Sequence, residues 1–269
     1  MLTRARRHDE NDAEWDGLNR LTYRVVIPVI TSTYADACLQ SIAAPNSAAG
    51  FELDRVLVVD NSRDGLLGRK YSALYGERGL RVHRDADGFN LGVARSWNVG
   101  AREVLAAGLD YLVICSASMM FGPILHTTWT RQMVTFAGER VIECDGHSWH
   151  LIAFHRSVIE AVGLFDENCY PAYHEANDYS FRMRQLGWEG GWRHAWVNAL
   201  SQSVAGHVDV VRCPAPPIID YLREKWGGEK HHERHSLPWG DRPLGYFPAR
   251  SIPERAEAYG LGERGVGWW

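Results

Sequence analysis

The sequence predicts an α/β fold, a mostly parallel central sheet with helices on both faces. Short apolar runs end in polar clusters at Tyr23–Pro28, Arg55–Asp60 and Tyr111–Cys115, and helical stretches lie between them. Arg55–Asp60 and Tyr111–Cys115 are almost wholly apolar, as strands covered on both faces tend to be. The 269 residues suffice for one large domain or two small ones, and a hydrophobic fraction of 45% with 23% charged residues is that of an ordinary globular chain.

Residues 1 to 22 are polar and mixed in charge and read as an N-terminal arm. Tyr23 to Pro28 is the first strand, ended by a proline with no N–H to give a ladder. A helix over about Ala35 to Ala44 follows, with Thr31, Ser32 or Thr33 as its cap. The second strand stops in Asp60-Asn-Ser-Arg-Asp-Gly65. A short third strand, Leu80 to His83, leads through Gly88-Phe-Asn-Leu-Gly92 into a helix from about Val93 to Ala107. The fourth strand, Tyr111 to Cys115, runs into Ser116-Ala-Ser118. The polar and aromatic stretch Ile142 to His150 precedes a strand at Leu151 to Phe154, and Gly163-Leu-Phe-Asp-Glu167 reads as a turn. A helix begins near Glu175, Val197 to Leu200 reads as the last strand, and Tyr221 to Gly228 as a short amphipathic helix closed by glycine. The boundaries that follow are an arm at 1–22, a main domain at 23–212 and a C-terminal extension at 213–269, serving as an active-site cover or an oligomer arm.

Composition narrows the function. A formal net charge of -4 leaves no basic footprint, so nucleic acid is not expected as a partner. No apolar run reaches the ~18 to 20 residues that span a bilayer, and the N-terminus turns acidic where a signal peptide would turn apolar. A cytoplasmic protein is the expectation. Its five cysteines are odd in number and scattered, which fits reduced, mostly buried thiols.

In sheets of this kind ligands sit beyond the carboxyl ends of the strands. Pro28 to Thr33, Asp60 to Asp64, Asn90 to Asn98 and Ser116 to Ser118 therefore form one site. It offers a carboxylate, amides, hydroxyls and Arg95 near a helix start, a set that suits a nucleotide. The glycines spell neither G-x-G-x-x-G nor a P-loop. Glu175 and Asp178 open a later helix, whose electropositive first turn keeps a carboxylate ionised and able to accept a proton. An acidic turn that only stabilises its own helix is the alternative reading of that pair.

Taken in order, Val26-Ile-Pro28, Val58-Val-Asp-Asn-Ser62, Asn90-Leu-Gly-Val-Ala-Arg-Ser-Trp-Asn98 with Gly100, Ser116 to Ser118, Gly163 to Glu167 and Glu175 to Arg182 form a pattern. Over roughly residues 23 to 207 it resembles the family 2 type of nucleotide-sugar-dependent glycosyltransferases, which have the GT-A fold. The resemblance implies that Pro28, Thr31, Asp60 and Asn61 hold the base of a nucleoside diphosphate sugar. Asn90, Gly92, Arg95 and Asn98, with Ser116 and Ser118, would close over its ribose and diphosphate. Asp145, His147, Trp149 and His150 fall where the family forms its acceptor side, and an indole face such as that of Trp149 packs on sugar C–H groups.

Two positions depart from the pattern. Ser116-Ala117-Ser118 stands where the family has an Asp-x-Asp motif that holds Mn or Mg, and hydroxyls are poor substitutes for a carboxylate on a hard cation. His207 is the candidate metal ligand, or with Lys225 a direct partner of the diphosphate. In Glu175-Ala-Asn-Asp178 the usual base position is Ala176. Asp178 is then the first choice as base and Glu175 the second. The resemblance implies inverting transfer of a sugar to a hydroxyl of a glycan, lipid-linked or protein acceptor; Ser116 and Ser118 leave the need for Mn or Mg open, and the C-terminal extension leaves room for a homo-oligomer. The alternative is a pseudo-glycosyltransferase that binds a nucleotide sugar or acts as a scaffold. A nucleotidyltransferase would need a glycine-rich phosphate loop and lysine near the first strand, which Thr31-Ser-Thr-Tyr34 does not offer.

Overall fold

The computed structural model describes residues 21–146, 149–188, 192–201 and 215–226, with positions 251, 254 and 257. A seven-stranded sheet organises them, in the order β3-β2-β1-β4-β7-β6-β8. Its strands are β1 (Tyr23–Val29), β2 (Val56–Asp60), β3 (Arg81–His83), β4 (Tyr111–Cys115), β6 (Val141–Cys144), β7 (Leu151–His155) and β8 (Arg193–Ala195). β5 (Met119–Phe121) and β9 (Ala199–Ser201) pair separately as an antiparallel ribbon. The helices are α1 (Ser32–Ala43), α2 (Leu66–Tyr75), α3 (Gly92–Ala107), α4 (Trp129–Thr135), α5 (Arg156–Val162), α6 (Glu175–Gln185) and α7 (Ala215–Trp226).

The expected mostly parallel sheet is present. β1 pairs in parallel with β2 and β4, β2 with β3, and β6 with β8, while β7 runs antiparallel to both its neighbours. Parallel neighbours need crossovers, and α1, α2 and α3 supply them. Every residue of β2 and β4 is buried, which explains their unbroken apolar runs.

Alternation along β1 divides the core. Val25, Ile27 and Val29 face a cluster with Cys38, Leu39 and Trp129, while Val26 faces Trp97, Val104, Phe154 and Tyr179. α3 lies so close to the sheet that a Cβ on Gly100 would meet Val26 Cγ2 at 2.0 Å. A third cluster joins α7 to α6 and the loop before it, through Cys169, Phe181, Ile218, Leu222 and Trp226.

Several boundaries differ from the sequence reading. α1 begins at Ser32 rather than Ala35. α2 was not anticipated, although Leu67, Tyr71 and Tyr75 recur at helical spacing and pack on the core. Val141–Cys144 is a buried strand, at the head of the stretch from Ile142 that the sequence marks only as polar and aromatic. The terminal strands are 193–195 and 199–201 rather than 197–200, and α7 begins at Ala215 rather than Tyr221. Prolines in a first helical turn forfeit no internal hydrogen bond, so Pro216 and Pro217 do not block that start. Cys38, Cys115, Cys144 and Cys169 are buried free thiols, and Cys213 lies outside the described residues. Among the described residues no helix is long and apolar enough to cross a membrane.

Candidate active site

A cleft of about 590 Å³ opens at the carboxyl ends of β1, β2 and β4. Pro28 to Thr31 and Tyr34 form one side; Asn61, Asn90, Gly92 and Trp97 form the next; Ser116 to Ser118, Trp149 and His150 lie beyond them; and Pro171 to Asn177 close the far wall. The predicted convergence of strand ends on one site is therefore what the fold builds.

Short hydrogen bonds fix the wall between β2 and α3. Asn61 N–H donates to Val29 O at 2.8 Å, its amide donates to Ser96 Oγ at 3.0 Å, and its Oδ1 accepts from Leu91 N–H at 2.8 Å. Asn90 Oδ1 accepts from Gly92 N–H at 2.9 Å, while its Nδ2 has no hydrogen-bond partner among the described residues. Gly92 has φ 71°, and an added Cβ would stand 2.8 Å from Pro171 O. Only glycine meets both demands easily. Val93 N–H then donates to Pro171 O at 2.7 Å, tying the start of α3 to the far wall.

At the end of β4, Ser116 Oγ and Ser118 Oγ are 2.8 Å apart, and Ser118 Oγ lies 3.4 Å from His150 Nδ1 and 3.3 Å from Ser201 Oγ. These groups can donate to an anionic oxygen. They do not make a ligand set for a hard cation, and among the described residues no group of three histidines, cysteines or carboxylates could hold one. Trp149, with φ 60°, lays its ring against Trp97 at 6.1 Å and 25°.

The two carboxyls of α6 have separate fates. Glu175 lines the cleft, is 7% exposed, and has no partner for Oε2 among the described residues. Burial raises its carboxyl to about 8, against a smaller lowering by its own backbone N–H. Asp178 is fully buried away from the cleft lining. Its Oδ1 accepts from Lys225 Nζ at 2.6 Å and Trp226 Nε1 at 2.9 Å, and its Oδ2 from Arg182 Nε at 2.8 Å. Burial pushes this carboxyl up, but the Lys225 and Arg182 charges outweigh that and hold it below the usual range.

The structure corrects several expected roles. Asp178 has no open face toward the cleft, because three donors occupy its carboxylate. Lys225 cannot act as a diphosphate ligand from where it stands, since Nζ is buried between Asp178 and Asp166, 2.6 Å from each. Asp60 is turned inward, accepting from Ser62 N–H and Gly68 N–H with Arg84 3.5 Å away, so it organises the loop after β2 instead of facing the lining. Asn98 points the other way, exchanging hydrogen bonds with Phe165. Arg95 stands beside Glu167 at 3.8 Å, and Asp145 is exposed. Neither belongs to the lining. His147 and His207 lie outside the described residues.

Pro28, Thr31, Asn61, Asn90, Gly92, Ser116, Ser118, Trp149 and Glu175 do line the cleft together. Tyr34, Trp97, Tyr173, His174 and Asn177 join them without having been singled out. Trp97 was legible as the same helical face as Val93; Tyr173 and His174 carried no periodic signal.

This sheet, with its cleft at the strand ends, is the fold of the GT-A nucleotide-sugar glycosyltransferases. The mannosyltransferase PcManGT of Pyrobaculum calidifontis, solved with GDP-Man and Mn2+, superimposes with a TM-score of 0.50 at 15% identity, covering 85% of this chain and 75% of that one. Glucosyl-3-phosphoglycerate synthase of Mycobacterium tuberculosis gives 0.50 at 12% identity, covering 80% and 84%. TarS residues 1–349 of S. aureus, solved with UDP, give 0.47 at 15% identity, and the match spans 66% of this chain and 58% of that one. In sequence, a galactofuranosyl glycosyltransferase of Leishmania donovani is 54% identical over 37 residues, 14% of this chain and 8% of that protein. No protein-family model matches the chain.

Proposed function

We propose that the protein transfers a glycosyl group from a nucleoside diphosphate sugar to an acceptor hydroxyl, with Glu175 as the base. The observation that supports this most is the buried Glu175 carboxyl, whose Oε2 has no partner among the described residues, on the wall of a cleft built at the strand ends of a GT-A fold. A buried polar atom without a partner costs about 1–3 kcal/mol, and a bound hydroxyl would supply the missing hydrogen bond. In the inverting form of this reading the acceptor proton passes to Glu175. The acceptor oxygen bonds to the anomeric carbon as the bond from that carbon to the diphosphate oxygen breaks, and the diphosphate leaves with the electron pair.

Asn61, Asn90 and the β1 end would face the nucleoside, Trp149 the acceptor, and the Ser116, Ser118 and His150 donors the departing diphosphate. Such fixed donors stabilise developing negative charge, so this arrangement favours transfer without a divalent metal. A second reading, a binding protein without turnover, draws support from Ala176 at the usual base position and from the fully paired Asp178.

The test is calorimetry with a panel of nucleoside diphosphate sugars, in Mn and again in chelator, followed by assay of released nucleoside diphosphate with candidate acceptors. Binding with turnover that Glu175→Gln lowers by about 10² or more supports the enzyme. Binding with no turnover on any acceptor supports the second reading, and no binding in either condition removes both.

A further inference from the structure

We propose that Lys225 is a positioning residue that sets the wall carrying Glu175; this rests on the reading of Glu175 as the base. Asp166 opens the segment that runs through Pro171 to Asn177, and Asp178 closes it in the first turn of α6. Lys225 Nζ lies 2.6 Å from both Asp166 Oδ2 and Asp178 Oδ1, and all three side chains are at most 1% exposed. One ammonium thus joins the two ends of the cleft wall.

The rest of the cluster reinforces the junction. Tyr221 O–H donates to Asp166 Oδ2 at 2.6 Å, Trp226 Nε1 to Asp178 Oδ1 at 2.9 Å, and Arg182 Nη1 to Val162 O at 2.9 Å. Two carboxylates and two cations balance, which a buried cluster requires. Without Lys225, Asp166 and Asp178 would face each other with one cation fewer.

The segment so pinned has a particular need for fixed ends. Tyr173 and His174, consecutive and both non-glycine, have φ 74° and 68°. Left-handed residues of this kind cost about 1–2 kcal/mol each and persist only where the surroundings over-determine them. They immediately precede Glu175, so relaxation of the pair would swing its carboxyl. α7 makes no part of the described cleft lining; its Lys225 acts on Glu175 through the chain it clamps.

The experiment compares Lys225→Met with the charge-balanced pair Asp166→Asn/Lys225→Met, which removes one carboxylate with the ammonium and keeps the chain foldable if the single change does not. Donor-dependent release of nucleoside diphosphate and hydrogen exchange over residues 170–177 are measured on both. We expect kcat to fall about 10- to 100-fold, as for a misplaced catalytic group. The donor KM should stay within about twofold, since donor contacts are retained, and exchange over 170–177 should quicken while the β1, β2 and β4 amides stay protected. Wild-type kcat and exchange in the folded double variant would overturn the proposal, as would a raised donor KM with unchanged kcat, which assigns Lys225 to the donor. If the wild type turns over no nucleotide sugar, the glycosyl-transfer reading fails by itself. Exchange then decides: quickening confined to 170–177 upholds the clamp on the wall, and no change overturns it.

Discussion

Glu175 and Asp178 stand one turn apart on α6, both buried, and their carboxyls are driven in opposite directions. Burial is the largest single influence on each. At Glu175 only its own backbone N–H opposes it and the proton is held to about 8, whereas at Asp178 Lys225 and Arg182 overcome it. Two acids that look interchangeable in sequence thus divide into a titrating group on the cleft and an ionised anchor behind it.

The pH dependence of turnover follows from the first. A base must be deprotonated, so kcat/KM should rise with pH through about 8 and level off above it. Glu175→Gln should remove that limb and lower the rate by about 10² to 10⁴. A flat profile between pH 6 and pH 9, measured as released nucleoside diphosphate, would take Glu175 out of the chemistry.

Stability should respond to the same proton. The folded carboxyl titrates at about 8 and the ordinary value is 4.5, so in between the folded chain holds a proton that the unfolded chain has released. Its contribution is complete below the ordinary value and is lost as pH rises through the folded one. Glu175→Gln carries no such proton. Its melting temperature relative to wild type should therefore climb from pH 5 to pH 8.5, and a constant difference would contradict the buried assignment.

Asp178 predicts the reverse. Its folded carboxyl is held below the ordinary 3.8, so its contribution is present above that value and lost as pH falls through the lower, folded one. Asp178→Asn leaves Lys225 and Arg182 one carboxylate short in a dry cluster, at a cost of about 3–5 kcal/mol. Urea unfolding at pH 7 measures this; a loss below about 1 kcal/mol would be that of an exposed pair.

Gly92→Ala tests the joint between α3 and the far wall. The left-handed backbone and the 2.8 Å approach to Pro171 O and Tyr170 Cδ2 both oppose a methyl group. The variant should lose about 1–3 kcal/mol, as overpacked sites do, and bind nucleotide sugars more weakly. Unchanged calorimetric affinity would show that the joint does not shape the ligand site.

Much of the fold was legible because strand ends announce themselves: β-branched runs closing in Asp60-Asn61 and Ser116 to Ser118 gave the sheet and where its cleft would lie. β6 hid because its four residues sit beside a polar stretch, and α2 because its helical face is short. Within the site, position along the chain told which residues approach the cleft but not which way they turn. Asp60 is claimed by Gly68 N–H, Asn98 by Phe165, and Asp178 by Lys225 from 47 residues away. Such partners are set by tertiary packing, which leaves no period in the sequence. The left-handed Tyr173 and His174 are equally silent, because tyrosine does not advertise that backbone and histidine, although enriched there, adopts it at only a small share of its positions.

The placement of α7 bears on how the protein comes into being. On a ribosome the chain emerges from its N-terminus, so every strand of the sheet is synthesised before Lys225 appears. Until then Asp178 has the Arg182 guanidinium but neither it nor Asp166 has the Lys225 ammonium, and the wall of the cleft has no clasp. The nascent protein would thus pass through a stage with a finished scaffold and an unfinished site, and the last turn of α7 would bring the two into step.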